Sequence, residues 1–418
     1  MRRLIILFIA IVLAVSLQGF FRDFAENPAD IADRESGDII LPGFFMNGGF
    51  SNNHLTVSDL AMFEEGHVLT QSEKDLLSSS NLNFSGYATI DLLAFGFKNW
   101  ELTMTSNIRG YMGDIDKEFM QILFNGNDED QYNTSAMSDT YFYQFIKFSF
   151  DWAYPKSVNL SLIPPARISN KESGSFVLRL ESVLNYLREA DIYLGARVNV
   201  NNSAGYAEVM ESEQELISNQ DSLYVESHVS ILHSDIDPSS ITGNYSTGFG
   251  LGLKMKLPNG WMYFNVDDLG TKLTYSDLVY SDYYNYHLDY LNFIDEDHEA
   301  IDESETVEGE DYDGDREVKL DASITFGVEY YVGRGFDVMA KYQSCDYLLD
   351  GLFLGTTYRP LDWLPIKLTY GNGDIDSYSF KFGVDSESIE LMLGGTYYNG
   401  LFNAAKGYGA DFGIKFKF

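Results

Sequence analysis

Apolar and polar positions alternate with a period of two along much of this chain. In the last eleven residues Tyr408, Ala410, Phe412, Ile414, Phe416 and Phe418 share one phase, and Gly409, Asp411, Gly413, Lys415 and Lys417 hold the other. A strand has a side-chain period of two, so this segment sets an apolar face against a polar one. From Phe249 to Leu257 the apolar Leu251, Leu253 and Met255 alternate with Gly250, Gly252, Lys254 and Lys256. The pattern returns from Val318 to Tyr330, from Tyr378 to Val384 and from Ile389 to Leu393. Between such runs stand turn-forming residues: Lys98-Asn99, Pro258-Asn259-Gly260, Gly333-Arg334-Gly335 and Gly371-Asn372-Gly373. Long strands joined by tight turns predict an up-and-down antiparallel meander.

The first strand is predicted over Ile39 to Phe50. Thr70-x-x-Glu73 reads as a capping box opening a helix over Lys74 to Ser79. Thr56 and Asp59 repeat that spacing, which predicts helix over Leu55 to Glu65, and a further short helix fits Asp116 to Phe124. Alternation alone also suits a large exported sandwich. The Val318 to Tyr330 run is longer than the usual five or six residues of a soluble strand, and its length suits a tilted membrane strand. Charged residues keep to one phase of these strands. A Lys or Arg on a lipid face at mid-membrane costs about 2 to 4 kcal/mol, so that segregation favours a barrel in lipid. The predicted class is all-β: a transmembrane antiparallel barrel of about 14 strands, with an N-terminal helical plug. Tyr408, Phe412, Ile414, Phe416 and Phe418 form the apolar face of its closing strand and read as its assembly signal.

Composition agrees with this picture. Aromatics make up 15% of the 418 residues, with 29 Tyr and 30 Phe against 9 Pro. A barrel's lipid face is diluted by a polar lumen and polar loops, so its overall hydropathy is modest. Arg2 and Arg3, the apolar run Leu4 to Leu13 and Ala14-Val15-Ser16 read as a secretory signal peptide over 1–16. The run is shorter than the roughly 20 apolar residues of a spanning helix, and no other segment could span as one. Only helices and closed barrels satisfy every backbone group in lipid, so a membrane position requires a barrel. The predicted organisation is a hatch segment over 17–80, including the first strand and helices, then a barrel over 81–418. The expected location is the outer membrane. The single Cys345 has no internal disulfide partner and is read as a buried strand residue.

The formal charge of −35 excludes nucleic acid, which requires basic surface. Thirteen acidic residues and one basic residue lie in the loop 295–317. Such a run is expected to stay extended and disordered. Within it Asp311, Asp313, Asp315 and Glu317 alternate as oxygen ligands around Gly314. They would suit a weakly bound calcium, the only cofactor these residues admit, although a solvated acidic loop explains them more simply. His228 and His233 are five apart, which sets them on opposite faces of a strand. No His-Glu-x-x-His, paired Cys or Gly-x-Ser-x-Gly is present, and no spacing selects a Ser-His pair, so an enzyme is not expected. The glycines from Gly248 to Gly252 open no helix, which removes a nucleotide-binding reading. Tyr283-Tyr284, Tyr330-Tyr331 and Tyr397-Tyr398 lie near strand ends, where a bilayer-interface girdle would stand.

Several motifs occur in a telling order. Asn27-Pro28-Ala29 precedes the first strand, and Leu123-Phe124-Asn125-Gly126-Asn127 follows a short helix. Ile192 to Arg197 leads to Gly205-Tyr206-Ala207, and Gly248 to Gly252 leads to Trp261 and Val266-Asp267-Asp268-Leu269-Gly270. In that order they resemble the FadL/TraF/PorV-like superfamily of outer-membrane barrels, in particular its TraF-like branch. The resemblance implies 14 strands and an N-terminal plug held at the lumen wall by Asn27, Pro28 and Ala29. It implies passage of small hydrophobic molecules, or, on the PorV side, a non-transporting barrel that assists protein secretion or surface assembly through its loops. Implied partners are outer-membrane lipid, the barrel assembly machinery, and a hydrophobic small molecule or a secreted protein. The chain departs from the family in having little sequence, and no glycine-rich run, before Asn27.

Overall fold

The computed structural model describes residues 27–33, 39–63, 67–125, 131–134, 139–158, 190–218, 223–234, 244–284, 305–344, 350–373, 375–386 and 388–417. The predicted signal segment over 1–16, Gly126-Asn127, 295–304, Cys345 and Phe418 lie outside these residues. In chain order the strands are β1 (Ile39–Asn52), β2 (Leu82–Phe97), β3 (Trp100–Ile115), β4 (Gln131–Thr134), β5 (Tyr141–Ala153), β6 (Ile192–Ser218) and β7 (Leu223–Ser234). They continue as β8 (Tyr245–Leu257), β9 (Gly260–Leu269), β10 (Lys272–Tyr275), β11 (Leu278–Tyr284), β12 (Glu305–Asp311), β13 (Arg316–Lys319) and β14 (Ser323–Gly333). The remainder are β15 (Phe336–Ser344), β16 (Gly351–Leu361), β17 (Leu364–Asn372), β18 (Ser377–Asp385), β19 (Ile389–Tyr398) and β20 (Gly407–Lys417).

Fourteen of these close a ring in the order β1, β2, β3, β5, β6, β8, β9 and β14 to β20. Every neighbouring pair is antiparallel, and β20 returns to β1 from Ser51 opposite Gly407 to Ile40 opposite Lys417. Closure leaves the ring without an edge. The two side-chain phases separate as alternation requires. Leu368, Phe380, Phe382 and Leu393 point outward and are 43–51% exposed. Thr105, Asn199, Asp267 and Asp411 point inward and are buried.

The two ends of the ring differ. Where β1 begins and β20 ends, the turns at Lys98-Asn99, Pro258-Asn259, Arg334-Gly335 and Asp362-Trp363 are short; the connection between β5 and β6 is the exception. Lys98 and Arg334 adopt positive φ in these turns. At the other end the connections after β1, β3, β6 and β9 are longer and carry described structure. There β6 runs on past the ring as a strand of 27 residues, and β4, β7, β11 and β12 extend the sheet beside it.

Four expectations change. The predicted Val318 to Tyr330 strand is two strands: β13 ends at Lys319, Leu320 turns into a buried cluster, and β14 begins at Ser323. The acidic stretch is ordered where it is described, because β11 supplies a ladder partner for β12 and β10 one for β13. The Leu55 to Glu65 helix is only a 3-10 turn at Asp59–Phe63, since Val57 and Ser58 donate instead to the Ala405 and Asn403 carbonyls before β20.

Finally, the helices do not enter the lumen. The capping box forms as predicted and opens α1 (Gln71–Leu77), and the second predicted helix is α2 (Lys117–Asn125). Leu77, Phe119 and Ile122 pack with Leu82, Phe84, Met112 and Ile115. Phe84 and Met112 stand in the opposite phase from the inward Tyr87, Thr89, Thr105 and Asn107, so the helices cover the outer face of β2 and β3. Periodicity shows that a helix has an apolar face, not which side of a wall receives it.

Candidate functional site

The inner wall across β5, β6, β8 and β9 is the most built part of the molecule. The chain segment Asn27 to Asp33 sits on it. Pro28 fixes φ at the first position of a 3-10 turn over Pro28–Asp33. The Asn27 side chain uses both ends of its amide. Its Nδ2 donates to the carbonyls of Leu253 (3.1 Å) and Phe264 (3.3 Å), and its Oδ1 accepts from the Ala29 N–H at 2.9 Å. Asn27, Ala29 and Ile31 are almost wholly buried. Lys254 Nζ lies 3.1 Å from Asp30 Oδ1 and 4.3 Å from the Trp261 ring centroid.

Two glycines make the seat. A Cβ on Gly195 would collide with the backbone at Pro28-Ala29. One on Gly252 would collide with Asn27 Oδ1 and approach Pro28 Cδ to 2.8 Å. Glycine at these points lets two backbones meet.

Beside the seat is a buried ion-pair network. Arg197 forks onto Asp151, Nε to Oδ1 at 2.6 Å and Nη2 to Oδ2 at 2.7 Å, and its Nη1 reaches Asp267 Oδ2 at 2.8 Å. Lys147 Nζ donates to Asp267 Oδ2 (3.0 Å) and Asp268 Oδ2 (2.8 Å), and Asn199 Nδ2 donates to both aspartates at 2.9 Å. The parallel fork is the strongest geometry open to an arginine and a carboxylate.

Above the network, β10 and β13 form a two-stranded ribbon separate from the ring sheet. Thr271, at its root, occupies the space where a Gly248 side chain would be. Leu273, Tyr275, Leu278 and Leu320 pack against Tyr143, Phe145, Tyr206 and Leu232. The Tyr275 hydroxyl donates to the Gln144 carbonyl at 3.1 Å, and burial raises its pKa above the usual tyrosine value. The inner side of this arc is therefore filled twice, by the N-terminal turn and by the ribbon.

Other sequence candidates lie elsewhere. Tyr408, Phe412, Ile414 and Phe416 occupy the outward phase of β20, half-buried, while Asp411 opposite them in phase faces Asn47 inside. Asp311 ends β12, Asp313 and Asp315 are exposed in the following turn, and Glu317 pairs with Lys272. The four do not converge, and among the described residues no three His, Cys, Asp or Glu side chains are placed to hold a metal ion. His228 joins Ser230 and Asp282, whereas His233 faces Ser281 on the other side of β7. Lys147, Asp151, Asn199 and the ribbon did not emerge from sequence reasoning, and Gly195 entered only inside the Ile192 to Arg197 motif. Their signals were the inward phase of β5 and β6, and the break after Lys319.

No family model matches the chain, and no curated protein matches it. Among solved structures it is similar to the Pseudomonas putida toluene transporter TodX, with 9% identity over 96% of both chains and a TM-score of 0.43. It is also similar to the monoaromatic hydrocarbon channel CymD, with 10% identity over 97% of this chain and 95% of that one and a TM-score of 0.40. A FadL homologue of Pseudomonas aeruginosa shows 10% identity over 96% of both chains and a TM-score of 0.38. The closed barrel itself rests on the strand pairing described above.

Proposed function

We propose that this chain is an outer-membrane barrel, plugged along one side of its lumen, for the passage of small hydrophobic molecules. The seating of Asn27 to Asp33 on Gly195 and Gly252 carries the reading, since the turn takes up lumen space along this wall and is fixed there by backbone contacts. The outward apolar phase of the ring supports a place in lipid, and the buried apolar cluster around Tyr143 and Phe145 supports an apolar cargo. On this reading the short turns face the periplasm and the long connections the outside, and lipid and the barrel assembly machinery are partners. The glycine Gly252→Val should unseat the turn. In planar bilayers its conductance should exceed that of the unaltered chain several-fold; equal conductance would remove the plug from the proposal. In cells with a lipopolysaccharide outer membrane, expression should speed entry of the apolar dye N-phenylnaphthylamine. An entry rate no higher than that of cells lacking the chain would remove the hydrophobic cargo.

The sheet of β4, β6, β7, β11 and β12 rising past the ring favours a second reading, a non-transporting barrel that assists secretion or surface assembly. Removing the part of that sheet beyond the ring should abolish secretion support and spare dye entry.

A further inference from the structure

The β10–β13 ribbon meets the ring wall through two unlike surfaces. Its strands form a sheet of their own, so no ladder ties the ribbon to the wall. Away from the ring it is well held. The Tyr275 hydroxyl donates to the Gln144 carbonyl, and Arg316 Nε lies 3.3 Å from Glu208 Oε2. Leu273 and Leu320 share an apolar cluster with Tyr143, Phe145, Tyr206 and Leu232. At the root the seat is polar and unmet. Thr271 lies against Gly248, and the register sets Asn199 beside Gly248 and Asn201 beside Ser246 on the same inner face. Asn199, Asn201 and Thr271 are wholly buried. Asn199 Oδ1, both ends of the Asn201 amide, and the Ser246 and Thr271 hydroxyls are closed off from solvent and meet no hydrogen-bond partner. Buried polar atoms are nearly always paired, so five unpaired ones in one seat weigh against the closed ribbon. The backbone around β10 is also tense. Asp268 (φ 56°) and Gly270 (φ 79°) precede it and Asp277 (φ 54°) follows it. Non-glycine residues held in that region are unfavourable and gather in segments that switch.

We infer that the ribbon is a strap that lifts from the inner wall and uncovers a binding surface for small apolar molecules. Two effects oppose each other in it. With the strap down, Leu273 and Leu320 stay out of water, but the five polar atoms at the root have no partner. With the strap up, those atoms meet water, while Tyr143, Phe145, Tyr206 and Leu232 lose their cover. An apolar molecule on these four side chains replaces the ribbon's contacts and leaves the polar seat wet. It therefore holds the strap up. The choice of an apolar occupant rests on the proposed passage of hydrophobic molecules; the lifting itself rests on the seat.

The test uses the full chain in lipid nanodiscs, with Cys345→Ser so that an introduced thiol stands alone. Thr271→Cys should react with a maleimide faster than Ser51→Cys, which is equally buried in β1. N-phenylnaphthylamine should raise the Thr271→Cys rate several-fold and leave the Ser51→Cys rate unchanged. Asn201→Leu removes two of the unpaired atoms and should slow the Thr271→Cys reaction at least fivefold. Equal rates at the two positions, or no slowing by Asn201→Leu, overturns the strap. No response to the probe overturns the apolar occupant. Should Asn201→Leu misfold, a lock decides. A Cβ on Gly248 would lie 3.4 Å from Thr271 Cβ, close to disulfide spacing. In the chain carrying Gly248→Cys and Thr271→Cys, closing the bond should lower N-phenylnaphthylamine fluorescence and reduction should restore it. Equal fluorescence in the two states overturns the proposal. A chain that labels as expected yet does not speed dye entry into cells keeps the strap and loses the passage.

Discussion

Arg197 shows what a single residue does here. It and Asp267 both lie in runs that stand out in the sequence, yet they are 70 residues apart and only strand register joins them. Asp151 had no signal beyond its phase. Arg197→Met would leave Asp151 buried and uncompensated, while Asp267 keeps Lys147. Breaking one side of a buried pair costs about 3 to 5 kcal/mol. Urea unfolding from lipid vesicles should show a loss of that order, and Asp151→Leu added to Arg197→Met should recover part of it. No recovery would mean that the fork stabilises through shape rather than charge. The Asn27 element was visible only through the order of motifs that carries the resemblance, and the glycines that receive it are ordinary in sequence. Nothing about Gly195 or Gly252 announces a contact with residues 27–29.

Among the elements, α1 was legible to its caps and illegible in its placement. Thr70 Oγ1 and Glu73 close a reciprocal capping box, with the Glu73 carboxylate accepting from the Thr70 N–H at 2.6 Å. That backbone hydrogen bond, with the Thr70 hydroxyl and His67, lowers the Glu73 pKa from 4.5 to about 2. The folded value lies below the unfolded one, so the carboxylate's contribution is complete above pH 4.5, declines as pH falls toward 2 and is absent below it. Hydrogen exchange of the α1 amides should quicken relative to those of β2 across that window. Glu73→Gln should remove the pH dependence. Thr70→Ala should weaken the helix by about 1 kcal/mol at neutral pH. The β10–β13 ribbon was hidden for a different reason. Its alternation is in phase with β14, and only the burial of Leu320 separates the two. A strand leaving a wall to line the lumen keeps the same period as one that stays.

For the molecule as a whole, alternation, tight turns and segregated charge foretold a ring, and the structure closes it with 14 strands. That the arc of β5, β6, β8 and β9 is filled could not be foretold, because it depends on non-local contacts of the N-terminal turn and the ribbon. The continuous ladder predicts that the folded chain resists SDS without heating and migrates faster on a gel than the boiled chain. A single mobility under both conditions would argue against a closed ring. The aromatic girdle expected from the tyrosine doublets is divided: Tyr330 and Tyr331 are exposed, whereas Tyr398 is fully buried and meets the Tyr87 hydroxyl at 3.2 Å. Tyr397 and Tyr398 thus take opposite faces of the wall, as neighbours in a strand do, whereas both members of the Tyr330-Tyr331 doublet at the strand end are exposed.

The seam between β1 and β20 also sets a timetable. Asn47 and Asp411 meet across 364 residues of chain. Strand β1 is made early and waits for its second neighbour until the last strand exists, so one ladder of the ring cannot form before synthesis is nearly over. Contacts of such separation are slow to find. In the interval an open sheet edge invites pairing with other chains. For this fold the dangerous moment therefore comes before closure, and the waiting edge must be sheltered until the last strand arrives.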